Sequence, residues 1–323
     1  MRLPTIIAWL AGIAALTALI AFNDPVRLAD GIAALGWWLI AIVAWHAIPL
    51  IVDARAWQLL YRRRPPALSL LTAIWIGEGV NGLFPIPHLG EIARARIARH
   101  AAEPGEAAAT VVVDLTLGVA TELVFALLGV ALLATWSHKL GAVRFLAPVG
   151  AVIAGSALAF YLLQRAGLFA LAVRIAHRWS DAARRRFDVD SAAALDDAVR
   201  QIYLRRGPLT HSAIWRLAGW LVGSGETWLV FHALGQPIGI ADAIIIESLG
   251  HAARSAAFVI PGGLGAQDGA LLILGAALGL GPEAGLVLAL TKRLREMVLG
   301  LPALATGYAM FARPVTDAAR ANS

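Results

Sequence analysis

The sequence contains no cysteine. That excludes disulfides, thiol catalysis, iron–sulfur clusters and cysteine zinc sites, and it leaves the redox compartment open. Charge is scarce too: 15% of the 323 residues are Asp, Glu, Lys or Arg, against 59% hydrophobic. A soluble domain carries about 25% charged residues, and no water-soluble core absorbs this much apolar sequence. Also missing are a Gly-x-Ser-x-Gly elbow, a His-Glu-x-x-His pair and a phosphate-binding loop with its lysine. No catalytic constellation, cofactor site or metal site emerges, and the chain is not read as an enzyme.

What is present is a series of apolar runs of about 20 residues, the length that crosses a hydrocarbon core of roughly 30 Å. Six full crossings are expected, near 5–22, 36–58, 108–136, 143–163, 211–234 and 284–311. The first run, Ile6 to Phe22, follows a single Arg2, is longer than a signal peptide's apolar region and lacks a clear cleavage signal before Asn23. It reads as an uncleaved helix. Two further runs, 68–97 and 241–280, are interrupted at Phe84-Pro85-Ile86-Pro87-His88-Leu89-Gly90 and at Ile260-Pro261-Gly262-Gly263-Leu264-Gly265. Proline removes an amide donor and glycine weakens helix, so each run is expected to form a broken re-entrant hairpin. The fold class is therefore an all-α polytopic membrane protein.

The two breaks lie 174 residues apart, from Pro87 to Pro261, and the same offset carries the helix at 36–58 onto the fifth crossing, the helix at 108–136 onto the sixth, and Glu122 onto Glu296. The organisation expected within one membrane domain, 1–323, is a first repeat at 36–136, a connector at 165–210 and a second repeat at 211–311. An odd crossing between the copies turns the second upside down, the inverted plan of many transporters. Arginines concentrate at 53–107 and 165–210, whereas the opposite connections hold only Arg27, Lys139, Arg144 and Arg254. Both termini, the first hairpin and the amphipathic connector are thus expected on the cytoplasmic side. The net charge of +6 comes mainly from these arginines, which argues for membrane topology rather than nucleic-acid binding.

Polar residues inside apolar runs are the candidate site. Trp75, Glu78 and Asn81 share one face of the first half-helix, where they either line a cavity for a headgroup or proton or tie the hairpin to its neighbours. Gly90 and Glu91 open the second half-helix, with a carboxylate at the positive helix end. Arg94, one turn on, either pairs with Glu91, binds phosphate or is a topology arginine. Glu247, His251 and Arg254 form one stripe. The turn through Pro261, Gly262, Gly263 and Gly265 offers backbone amides to an anion or is only a tight reversal. Gln267 and Asp268 follow it, Asp268 at a capping position. On the sixth crossing Lys292 and Glu296 are spaced to pair with each other, and Arg293 and Arg295 need Asp114, Glu122 or Glu226 from other helices. Asp114, alone among apolar neighbours, is a proton-site candidate.

These residues resemble a known family. Leu50-Ile51-Val52-Asp53-Ala54-Arg55-Ala56-Trp57, Trp75-Ile76-Gly77-Glu78-Gly79-Val80-Asn81 and Val111-Val112-Val113-Asp114-Leu115-Thr116 are similar to hopanoid-biosynthesis-associated membrane proteins of the HpnL type. So are Arg254-Ser255-Ala256-Ala257-Phe258, Pro261-Gly262-Gly263-Leu264-Gly265-Ala266-Gln267-Asp268-Gly269 and Lys292-Arg293-Leu294-Arg295-Glu296. That group lies within the flippase-like family that also forms the membrane part of lysylphosphatidylglycerol synthases. The resemblance spans about residues 36 to 311. It implies a bacterial inner-membrane protein that moves or presents hopanoids or related lipids, with a membrane lipid and hopanoid-synthesis proteins as partners. A non-transporting organiser of those enzymes, or a headgroup transferase, are the alternatives. Pro87-His88-Leu89-Gly90-Glu91 stands where the resemblance leads one to expect a Gly-Gly turn, and Asp268 where glutamate is more usual.

Overall fold

The computed structural model describes residues 14, 16–22, 25–84, 89–99, 102–137, 162, 164, 166–179, 188–257 and 263–312. Among them are 12 helices and no strand. The expected crossings at 5–22 and 143–163 lie largely outside the described residues, as do Pro87, His88, Pro261 and Gly262 at the hairpin tips.

After α1 (Pro25–Leu35), helices α2 (Trp38–Trp45) and α3 (Ala47–Gln58) run on through a one-residue turn at His46. Pro49 accounts for the turn: it has no amide to donate back to Trp45, and its ring crowds that carbonyl. The first hairpin is α4 (Ala67–Leu83) and α5 (Leu89–Ala98), followed by the long α6 (Pro104–Ser137). The connector holds α7 (Leu168–Trp179) and α8 (Val189–Tyr203). Then come α9 (Arg206–Ala233), the second hairpin of α10 (Ile240–Ala256) and α11 (Ala266–Ala277), and the long α12 (Pro282–Ala312). The order long helix, short pair, long helix thus occurs twice, with corresponding helices close to 174 residues apart.

Two stretches, Trp38–Gln58 and Gly105–Thr135, are long and apolar enough to cross a membrane by length and composition. Helices α9 and α12, at 28 and 31 residues, reach over roughly 40 Å and exceed the hydrocarbon thickness of about 30 Å. They fall short on composition because of charges, Arg216 and Glu226 in α9 and Lys292, Arg293, Arg295 and Glu296 in α12, which turn toward other helices. The hairpin legs, 17 and 10 residues in one and 17 and 12 in the other, are too short to cross.

Two apolar clusters hold the helices. One gathers Trp57, Tyr61, Leu70, Ile76 and Val113 with Val199 and Ile202 of α8. The other gathers Leu35, Ile42, Phe231, Ile246, Leu271 and Leu286. Glycines let α12 approach both hairpins backbone to backbone. A Cβ on Gly79 of α4 would lie 3.1 Å from the Gly300 Cα, and one on Gly275 of α11 would lie 3.1 Å from the Gly285 Cα.

The connector is anchored by carboxylates at helix starts, where amides lack intrahelical partners. Asp196 of α8, 3% exposed, accepts from the amides of Phe169 and Ala170 at 3.1 and 2.8 Å, closing the first turn of α7. Asp188 caps α8, accepting from the Ser191 hydroxyl at 2.8 Å and from the amides of Ser191 and Asp190. These hydrogen bonds hold its carboxyl below the usual carboxylate range, so the cap persists until pH falls past that lowered value.

Candidate functional site

Charged side chains from α3 to α6, α9, α10 and α12, with His46 from the turn before α3, converge on a cavity of about 490 Å³. Its wall is built from four ionic groupings, each joining helices distant in sequence.

The first centres on Asp114 of α6, which is fully buried. Arg94 of α5 reaches its Oδ2 at 2.5 Å, and Arg216 of α9 binds both oxygens, Nε at 3.0 Å and Nη2 at 2.5 Å. The Arg94 guanidinium also lies 4.4 Å over the Trp57 ring, and its stem crosses Gly77, where a Cβ would come within 2.6 Å of it. Arg216 is 3.8 Å from Asp53. A carboxylate held by two guanidiniums is an anchor. The expectation of a lone acid that takes up protons is therefore corrected: Asp114 is isolated along its own helix but paired across the bundle. Arg94, expected to pair with Glu91, to bind phosphate or to be a topology arginine, is held by Asp114 and lies over Trp57.

The second joins His46, Glu78, Glu226 and Arg295. Glu226, 1% exposed, accepts from Arg295, and His46 bridges Glu78 at 2.8 Å and Arg295 at 2.7 Å. The third is Glu247, which takes Lys292 at 2.8 and 2.9 Å, the Thr227 hydroxyl, and His251 at 3.2 Å. The expected Lys292–Glu296 pair is thus replaced. Spacing on one helix allows it, but Glu247 on α10 offers Lys292 both oxygens in a buried position, which an i, i+4 surface pair cannot match. Glu296 belongs to the fourth grouping, with Arg254 at 2.8 Å and Arg293 at 3.0 Å. Arg293 continues to Asp268 at 3.3 Å, and Asp268 caps α11 by accepting from the Gly265 amide at 2.8 Å. Gly265 has φ 79°, a left-handed geometry that glycine takes without strain.

Of the residues expected to contact substrate, Glu78, Asn81, Glu91, Arg94, Glu247, Arg254 and Gly263 line the cavity. Gly90, Gly265, Gln267 and Asp268 sit behind the lining; Gln267 accepts from Arg254 at 3.3 Å. Asn81 braces the hairpin, accepting from the Gly90 amide at 2.8 Å and donating to Glu91 at 3.0 Å. Of the expected charge network, Glu122, Arg295 and Glu296 face the cavity, while Asp114, Lys292 and Arg293 stand behind it. Glu122 is met by the Ser255 hydroxyl. His46 and Arg216 were missed. A histidine and an arginine inside apolar crossings were the signal available for both.

The comparisons bear on this assembly as a whole. The family profile of the lysylphosphatidylglycerol synthase TM region matches residues 9–303. The chain belongs to that family. No curated protein and no solved structure matches the chain. The match runs across both hairpins and all four ionic groupings, so the cavity belongs to the lysylphosphatidylglycerol synthase TM region itself. Across the two halves, Arg94 and Asp268 stand 174 residues apart, and each pairs with an opposite charge on the long helix that follows: Asp114 on α6 and Arg293 on α12.

Proposed function

We propose that the chain moves a lipid between the leaflets of a bacterial inner membrane, taking the headgroup through the charged cavity. Hopanoids and related lipids, to which the HpnL-type resemblance points, are the first candidates. The observation that carries this reading is the cavity: ionic side chains from both helix sets around about 490 Å³, in a bundle of long and largely apolar helices. Charges at membrane depth are costly and are retained where polar groups must be handled. The lining holds seven carboxylates against four arginines and two histidines. It therefore suits a headgroup rich in hydrogen-bond donors, hydroxyl or amine, better than an additional anion. We read 36–136 and 211–311 as an inverted repeat, with the connector 165–210 and both termini cytoplasmic, and we assign the chain no covalent chemistry.

Purified protein in vesicles is expected to accelerate transbilayer exchange of fluorescent phospholipid or hopanoid analogues; an unchanged rate for every such lipid rejects the reading. Arg254→Gln, which breaks a partly buried pair, is expected to slow exchange roughly tenfold or more. Arg63→Gln, on an exposed loop residue worth about 1 kcal/mol toward anionic lipid, should alter it far less. Equal losses would mean that the cavity arginines serve only the fold.

Topology is checked separately, because the natural sequence has no cysteine to remove. His88→Cys is expected to react with an impermeant thiol reagent from the cytoplasmic side, and Leu264→Cys from the other. Leu264 is preferred to Gly263, where a Cβ would come within 2.7 Å of Arg254. Reaction of both from one side would exclude an inverted arrangement.

A further inference from the structure

His46 differs from the carboxylates and arginines of the wall in being able to change charge while it bridges its neighbours. It occupies the turn between α2 and α3, and each ring nitrogen faces a different part of the bundle. Nε2 lies 2.8 Å from Oε1 of Glu78; Nδ1 lies 2.7 Å from Nη1 of Arg295 and 3.4 Å from Oε2 of Glu226. A guanidinium can only donate, so Nδ1 accepts from Arg295, and the ring proton sits on Nε2 and is donated to Glu78. With Arg295 donating to Nδ1 the ring is neutral; with Nδ1 donating to Glu226 instead it is an imidazolium, and the two forms differ by one proton.

The charges facing the ring come from every element packed against it: Glu78 from α4, Glu226 from α9 and Arg295 from α12. Lys292 stands 3.9 Å from Glu226 and is shared with Glu247, while Glu296 is held by Arg254 and Arg293. On His46's own side, Asp53 lies 3.8 Å from Arg216. Glu78, Glu226 and Glu247 against Lys292 and Arg295 leave one negative charge without a cationic partner. It falls to Glu78, whose side chain is 43% exposed and lines the cavity. One proton on His46 would balance the set. It would also turn Nδ1 from acceptor to donor, so Nη1 of Arg295 must withdraw and Oε2 of Glu226, already within reach, takes its place. A single protonation thereby alters how α12 engages the α2–α3 turn.

We propose that His46 is the proton-binding residue that couples lipid movement to proton movement, with Glu78 as the group for which the imidazolium and a donor-bearing headgroup contend. The proton enters at Nδ1 and leaves when a headgroup takes Glu78 as its acceptor. This rests on the lipid-exchange reading, and the test separates the two.

The full-length protein is reconstituted with a pH dye inside the vesicles, and exchange of a fluorescent phospholipid and internal pH are followed from about pH 5 to 10, a range wide enough to cover a histidine set between two carboxylates. Wild type is expected to change its exchange rate roughly tenfold across that range and to move protons during exchange, while His46→Gln flattens the profile to within about twofold and stops proton movement. Glu78→Gln, which keeps the shape, serves as the second variant and should shift the profile's midpoint. Proton uptake by detergent-solubilised protein, wild type against His46→Gln, needs no lipid substrate and should differ by one proton. Exchange that proceeds with the same pH profile in wild type and His46→Gln overturns the coupling and leaves the lipid reading standing. No exchange at any pH, with the one-proton difference retained, overturns the lipid reading and leaves His46 as a proton site. No difference in uptake overturns the assignment of His46 outright.

Discussion

Asp114→Asn is expected to abolish most of the folded protein. The substitution keeps shape and volume but removes the charge that holds Arg94 and Arg216 at 2.5 Å each. Two guanidiniums are then left largely buried, at 11% side-chain exposure apiece, with no full counter-charge between them. Severing one buried pair costs about 3–5 kcal/mol, most of it the burden of the charge left behind, and total stabilities are themselves only about 5–15 kcal/mol. The joint also ties α5, α6 and α9 together, so its loss frees the second leg of the first hairpin. The measurement is the monodisperse fraction after a heat challenge in detergent. Asp197→Asn is the control: its partner Arg200 sits three residues on, both are exposed, and such surface pairs contribute about 0–1 kcal/mol. Similar heat resistance for the two variants would show that Asp114 does not anchor the wall.

Gly90→Ala is expected to open the first hairpin. A Cβ there would lie 2.1 Å from the Gly77 carbonyl oxygen and 2.6 Å from the Asn81 side chain. The first obstacle is backbone, which cannot rotate away, so α4 and α5 must separate. Overpacking costs typically 1–3 kcal/mol, and a backbone obstacle belongs at the upper end. Separation also breaks the Asn81–Gly90 hydrogen bond and lifts Arg94 from Gly77, so lipid exchange should fall along with thermal stability. Gly82→Ala provides the contrast. It sits on the other leg of the hairpin, in α4, with no neighbour within 4 Å of its would-be Cβ, and alanine's helix preference makes it neutral or stabilising by up to about 1 kcal/mol. A Gly90 variant that melts and exchanges like the Gly82 variant would remove the close-packed hairpin from this account.

The helices were legible because bilayer thickness sets their length and proline and glycine mark their breaks. The expected ends at 36–58, 108–136, 211–234 and 284–311 fall within a few residues of the helices observed. Pairing was much less so. Glu226 was foreseeable as a partner for Arg295, because an arginine in an apolar helix needs an acid from somewhere. Which acid meets which base depends on the rotation of each helix about its axis, and the spacing of Lys292 and Glu296 suggested a local pair that the cross-helix geometry supersedes. Arg216 escaped notice because it lies near the start of its crossing, where arginines commonly mark the membrane edge, and His46 because a single histidine in an apolar stretch carries little weight by itself.

The glycine contacts on either flank of α12 bear on how this wall rearranges. Where Gly79 meets Gly300 and Gly275 meets Gly285, backbone lies against backbone, and the side chains that come close at the first crossing are only those of Ala303 and the flexible Leu83. Interdigitated side chains would have to ratchet past one another by a whole turn of about 5.4 Å, whereas smooth backbone faces permit the small slides of about 1–2 Å typical of shearing helices. Such a slide carries Lys292, Arg293, Arg295 and Glu296 as one rigid row past Glu226, Glu247 and Asp268, so all three groupings that include α12 change length together. The Asp114 joint, which has no member on α12, stays fixed as the frame against which the row travels.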